Sequence, residues 1–388
     1  MFVVLFIGVI LGAIMLHEFG HFVTAKAFGM KVTQFFVGFG PTLWSTPKGE
    51  TEYGVKGIPA GGYVRIVGMN PWEETDPADD GRLFYQQKPW KRLIVLSAGS
   101  FTHLILAIAL LFGALAFIGL PTGEATNMLR TISADSPAAI TGLQAGDEIV
   151  AVDGQPTSTF EEVRDLVTGR FGDAIELTVM REGHEVVVDA VLDVPHPDPE
   201  SSGDGFLGVS PVVEEVPLGI YEGARATFSG PLSIWSLTDA TVDGLRQVFS
   251  LEGLGRFFGS VNDEGPRAQD SITSLVGAAQ ITSEFGNQGD IFAVLLVLAQ
   301  LNLVLGLLNM LPLPPLDGGH IAVMAVEETV NRARRLRVRP SAERQPERFH
   351  LNPNVVTPIA LAVIAFFIVL SGTALYLDIV NPASQLVQ

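Results

Sequence analysis

FVVLFIGVILGAIMLHEFGHFVTAKA, residues 2–27, is long and apolar enough to cross a bilayer, yet it carries His17-Glu18-Phe19-Gly20-His21 near its inner end. A signal peptide is the competing reading, but no basic stretch precedes Lys26 and no small-residue cleavage site stands at a suitable place. The stretch is therefore read as a first transmembrane helix. On an α-helix residues i and i+4 share a face, so His17 and His21 can aim two imidazoles at one metal ion. Glu18 sits about 100° further round the turn, where it can reach water at the metal without being a ligand. Zinc lowers the pKa of such water towards about 7, and a neighbouring carboxylate can take its proton and pass it to a leaving amine. Ionisable residues inside an apolar span are costly and default to a functional reading. At 1.5 Å per residue His17 lies about 22 Å along the helix from Phe2, within the bilayer and nearer the end where Lys26 emerges.

Composition agrees with a membrane protein that carries an extramembrane domain. Of 388 residues 47% are apolar and only 17% charged. There are no cysteines, so a metal must be held by His and carboxylate. A net charge of −18 argues against nucleic-acid binding, which needs clustered Lys and Arg.

Beyond the first helix, residues 28–92 mix polar and apolar positions. Thr51–Val55 and Gly62–Val67 alternate like strands, joined through Ile58-Pro59-Ala60-Gly61-Gly62. A small sheet at the membrane surface is expected over 38–68, and an exposed edge there can pair with an extended peptide. Residues 93–120 form an uncharged run and a second span, which places 1–120 in the first part of the membrane core. His103 within it reads as a packing histidine. Residues 121–212 have the composition of a small globular domain. Thr159 with Glu162 predicts a capping box, and strands are expected at 175–180 and 185–192 with a turn at Glu182-Gly183. Residues 213–288 read as an amphipathic, membrane-surface linker region. The second part of the core, 289–388, holds spans at 291–316 and 355–378 around a basic loop at 320–354.

Charge orients the spans. Residues 28–92 hold eight Lys and Arg against seven acids, residues 317–354 seven Arg against five acids, and residues 121–288 eight Arg against 27 acids. By the positive-inside rule the two basic stretches face the cytoplasm, and the N-terminus, globular domain and C-terminus lie outside. A catalytic zinc wants three protein ligands and an open position. Asp317 in Asn309-Met310-Leu311-Pro312-Leu313-Pro314-Pro315-Leu316-Asp317-Gly318-Gly319-His320 is the candidate third ligand, because a carboxylate at a proline-broken helix inside lipid needs a partner. The glycines beside it are expected to let the backbone approach another helix closely. His320 is a rival ligand, and Asn309 can donate to the carbonyl under attack.

Ser136-Pro137-Ala138-Ala139, Gly142–Gly154 and Gly205-Phe206-Leu207-Gly208-Val209 resemble a circularly permuted bacterial PDZ domain, whose carboxylate-binding strand would be the last of these. HEFGH in the first span, that domain after the second, and NMLPLPPLDGGH in the third together resemble the site-2 proteases, intramembrane zinc metalloproteases of the regulator-of-sigma-E-protease type and its actinobacterial relatives. Gly38-Phe39-Gly40-Pro41 and Gly57–Arg65 match as well, the latter resembling the family's membrane-reentrant β-loop. The likeness covers nearly the whole chain except about 215–288. It implies a polytopic α-helical membrane protein with four transmembrane helices, a membrane-associated β-hairpin or reentrant loop and one extracytoplasmic PDZ-like α+β domain, in a bacterial cell membrane. It implies one zinc per chain on His17, His21 and Asp317, Glu18 as base, and Asn309 holding substrate or the oxyanion. The expected substrate-binding residues are Gly61, Gly62, Tyr63, Val64 and Arg65 at the β-loop and Gly205, Phe206, Leu207 and Gly208 at the PDZ-like domain. The implied partners are single-span membrane proteins of the anti-sigma-factor type, already cut outside by another protease, peptide C-termini at the PDZ-like domain, and membrane lipid. The segment Leu96–His103 departs from the pattern, with Ser100 and His103 where the family usually has Pro and Asn. Two other classes compete: a membrane-anchored PDZ adaptor without protease activity, and a metal transporter, which should carry further intramembrane carboxylates that the sequence does not suggest.

Overall fold

In the computed structural model, residues 1–133, 135–194, 205–262, 272–337 and 348–383 are described, without the side chains of 60 and 121–124. Residues 338–347 of the expected basic loop therefore lie outside the described residues. Two compact units emerge. The first takes in Met1–Phe112, Ala226–Ser283 and Leu295–Leu386, and the second Gly113–Arg225 with Glu284–Val294. The stretch 213–288, read as one linker, is thus divided between them.

In the first unit the helix α1, Phe2–Ala27, is a single unbroken rod that buries Phe6, Ile10, Ala13, His17, His21 and Ala25 on one side. Burial at every third or fourth residue marks the face that meets protein, while exposed apolar side chains such as Val4, Leu5, Ile7 and Leu16 lie on other faces of the helix. The chain then forms β1, Val32–Lys48, and β2, Thr51–Ile66. Here the structure corrects the sequence reading: the two short strands expected at 51–55 and 62–67 belong to one strand, and their partner is β1. Phe35 pairs with both Val64 and Tyr53, and Phe36 with both Tyr63 and Gly54. Residues 34–37 are therefore flanked on both sides by β2. Val32 and Ile66 close a core with Ala25, Met30, Val95, Leu96 and Met324. At the turn, Glu50 accepts hydrogen bonds from Lys26 and Arg82.

Helix α2 starts at Pro89, earlier than the expected Leu93, and so includes Lys91 and Arg92. It runs to Gly113 and continues as a π-helical turn through Ile118. Leu120 is already in a strand. Gly20 of α1 faces Ala98 and Thr102 of α2, and a Cβ on Gly20 would lie 2.8 Å from Ala98 O. Small residues let the two helices touch backbone to backbone.

The second unit contains β3, Leu120–Ile132; α3, Pro137–Ile140; β4, Glu148–Val152; β5, Gln155–Pro156; α4, Phe160–Val167; β6, Ala174–Arg181; β7, His184–Val191; and β8, Val209–Val216. The strand order is β7-β6-β4-β3-β8, with β5 on β4. Leu129, Ile149, Val152, Ile175, Leu177, Val179, Leu192 and Leu207 fill its core. The capping box of Thr159 and Glu162 opens α4. The strand expected at Gly205–Val209 starts only at Val209; residues 206–208 form a loop whose Leu207 and Gly208 carbonyls accept from Ala138 and Ser133.

Helices α5, Gly219–Phe228; α6, Ile234–Val248; α7, Leu251–Gly259; and α8, Leu275–Asn287 follow. Helix α9, Ile291–Asn309, is shorter than the expected 291–316, because Pro312, Pro314 and Pro315 withhold backbone amides and leave turns from 310 to 316. The expected basic loop at 320–354 is instead largely α10, Asp317–Arg337. The last helix, α11, spans Pro353–Val380 rather than 355–378. Among the described residues, four helices are long and apolar enough to cross a membrane: Phe2–Ala27, Pro89–Ile118, Ile291–Asn309 and Pro353–Val380.

Candidate metal centre

Two elements build the site. One turn of α1 puts His17 Nε2 and His21 Nε2 3.2 Å apart. Asp317, the first residue of α10, brings Oδ2 to 3.3 Å from His17 Nε2 and 3.4 Å from His21 Nε2. Tight turns hold Asp317 there, with Leu313 N donating to Leu311 O and His320 N to Leu316 O. A helix N-terminus suits a carboxylate. The glycines after it serve a different approach from the one expected: a Cβ on Gly318 or Gly319 would strike the backbone of residues 310–314, their own preceding turn, not another helix.

The donor set fits zinc. Two imidazole nitrogens and one carboxylate oxygen lie within 4.8 Å of one another, in a mostly buried setting. His21 Nδ1 donates to Val95 O at 2.7 Å, which leaves Nε2 with its lone pair facing the cluster. Asp317 Oδ2 and His17 Nδ1 are buried without a hydrogen-bond partner among the described residues. An orphaned carboxylate oxygen facing two imidazole nitrogens is what a cation would compensate.

Gly99 of α2 completes the cradle. A Cβ there would sit 2.5 Å from His17 Cε1 and 2.5 Å from His21 Nε2. The sequence reading left the contribution of the second span open and missed this residue. The available signal was the small-residue run Ser97–Ser100 inside an apolar helix.

Glu18 lies beside the sheet as well as the histidines. A Cβ on Gly62 would be 3.4 Å from Glu18 Cγ, and the Glu18 carboxylate lies near the Val64 backbone amide. Gly61 adopts φ +142°, Tyr63 donates to Gln34 and stacks on Phe36, and Arg65 pairs with Glu73. Gly62 and Val64 thus reach the site, whereas the Tyr63 and Arg65 side chains are engaged within the loop. Asn309 is the half-buried last residue of α9. His320 is exposed and lies outside the trio. In the second unit a Cβ on Gly205 would meet Val167 O at 2.6 Å, so the Gly205 loop packs on the end of α4. Phe206 is half-buried, Leu207 is core and Gly208 adopts φ +80°.

The expectation of no further intramembrane carboxylate is corrected by Asp378, fully buried on α11. Its Oδ2 accepts from Ser274 N at 2.7 Å and Gly277 N at 3.0 Å, so it caps α8.

Residues 5–344 match the model of peptidase family M50. Zinc metalloprotease Rip1 of Mycobacterium tuberculosis (H37Rv) is 35% identical over 98% of this chain and 97% of its own length. Zinc metalloprotease Rip1 of Mycolicibacterium smegmatis is 36% identical over 98% of each chain. Among solved structures, the PDZ domain of an SdrC-like protein from Listeria innocua overlaps 23% of this chain and 97% of its own at 23% identity, with a TM-score of 0.20. Two full-length zinc metalloprotease relatives and a family match that spans both halves of the metal cluster lead to one conclusion: the chain belongs to peptidase family M50, the site-2 proteases, and is a membrane zinc metalloprotease.

Proposed function

We propose that the protein cuts the transmembrane segment of single-span membrane proteins of the anti-sigma-factor type after a first cut outside the membrane. The observation that carries this reading is the cluster of His17, His21 and Asp317 within 4.8 Å, with Glu18 beside it on a helix able to cross a membrane. One zinc per chain would be held by those three side chains. Zinc, when bound, polarises the scissile carbonyl and lowers the pKa of water. Glu18 takes the proton of the attacking water and hands it to the departing backbone nitrogen. Asn309 donates its side-chain amide to the carbonyl oxygen as charge develops there.

A helical substrate shields its amides, so the segment must unwind before it is cut. Its extended backbone then docks along Gly61, Gly62, Tyr63, Val64 and Arg65, adding a strand to the sheet next to Glu18. The second unit acts as a PDZ-like domain, taking peptide C-termini at Gly205, Phe206, Leu207 and Gly208. The N-terminus, that domain and the C-terminus are extracytoplasmic, following the charge asymmetry of the connecting stretches.

The test is Glu18→Gln. It should keep zinc bound while cleavage of a single-span reporter by purified protein falls about 10²–10⁴-fold. Undiminished cleavage would overturn the role of Glu18.

A further inference from the structure

Two residues of α2 and α9 stand by His17 without a part in that chemistry. His103, 2% exposed, holds its ring 5.2 Å from the His17 ring at a tilt of 44°. Its Nδ1 lies 3.0 Å from Oδ1 of Asn302, which is fully buried. The Asn302 amide is itself fixed: Nδ2 donates to Leu298 O at 2.8 Å, and a flipped amide would press two carbonyl oxygens together. Oδ1 can only accept. His103 Nδ1 therefore carries the proton and His103 Nε2 carries a lone pair.

His17 has the complementary need. With Nε2 turned to the metal, its Nδ1 must carry a proton, and that buried atom has no hydrogen-bond partner among the described residues. His21 meets the same need through Val95 O.

We propose that His103 is a positioning residue for His17. Asn302 sets its tautomer, and its Nε2 accepts the His17 Nδ1–H, directly or through one water, when the metal is bound. The inference rests on the ligand set proposed above.

The experiment uses the full chain in detergent micelles and reads zinc affinity by chelator competition, together with the visible absorption of the cobalt-substituted protein. His103→Ala should weaken zinc about 10–100-fold and shift the cobalt bands. Asn302→Leu should do the same to a smaller extent, and His103→Gln, whose amide oxygen can accept, should recover most of the loss. Ser100→Ala, which removes the neighbouring unpartnered hydroxyl, should change neither readout. Zinc affinity and cobalt spectrum unchanged in His103→Ala would overturn the inference while leaving the ligand set intact. An equal loss in Ser100→Ala would pass the acceptor role to Ser100 and overturn it as well. Wild-type protein that holds no zinc would instead sink the ligand set, and this inference with it. Should His103→Ala fail to fold, His103→Gln and Asn302→Leu carry the same comparison: both matching wild type would refute it.

Discussion

The first unit buries two aspartates, and their surroundings could hardly differ more. Asp378 is completely enclosed, and its Oδ2 is saturated by two backbone amides of α8. Asp317 is also largely buried, yet its Oδ2 faces two imidazole nitrogens and has no hydrogen-bond partner among the described residues. A buried carboxylate with its donors in place is a structural part, since removing it strands the donors. A buried carboxylate without them points to something that binds there. Asp378 is fully enclosed and Asp317 somewhat less so, but hydrogen-bond satisfaction is what separates their roles.

That contrast can be broken by a crossed pair of substitutions. Asp317→Ala should lower zinc affinity on the order of a hundredfold or more, about 3 kcal/mol, and abolish cleavage, while zinc-free protein melts near the wild-type temperature. Asp378→Leu should do the reverse. It leaves the Ser274 and Gly277 amides without an acceptor and should cost about 2–4 kcal/mol of stability, read by thermal or denaturant unfolding, with zinc stoichiometry retained. Loss of zinc in the second variant, or a stability loss of that size in the first, would erase the distinction.

A third carboxylate sharpens the comparison at the surface. Glu50 is held below the usual glutamate range, first by its hydrogen bond from Lys26, against a partial burial cost, and then by Arg82. Its folded pKa is depressed, so its contribution is present above the unfolded glutamate value and disappears as pH falls through the lower folded one. Glu50→Gln should be less stable than wild type at neutral pH by less than about 1 kcal/mol, because such exposed pairs are screened. As pH falls from the ordinary glutamate value through the lower folded one, the difference should shrink and then vanish. A gap that persists in acid would mean that the carboxylate charge is not its source.

Much of the site was legible in the chain. The i, i+4 spacing of His17 and His21 inside an apolar run, and Asp317 at a proline-broken segment, name three residues that the fold brings together. Four apolar segments gave the spans, although Pro89, Asn309 and Val380 moved their ends. The strand pattern at 51–67 was visible, whereas its pairing with residues 32–48 was not. Gly99, Asn302 and Asp378 were not identified either. Each takes its meaning from a neighbour on another helix, and an apolar span gives such residues no local pattern of their own.

Helical periodicity and hydropathy act over a few residues, so the chain alone sets two imidazoles on one face of an apolar helix with a carboxylate beside them. Tertiary structure alone decided that Asp317 opens a new helix against those imidazoles, that Gly99 leaves them room, and that Asp378 is a cap. Those outcomes depend on steric fit and hydrogen-bond satisfaction between segments far apart in the chain, and no short stretch contains both partners.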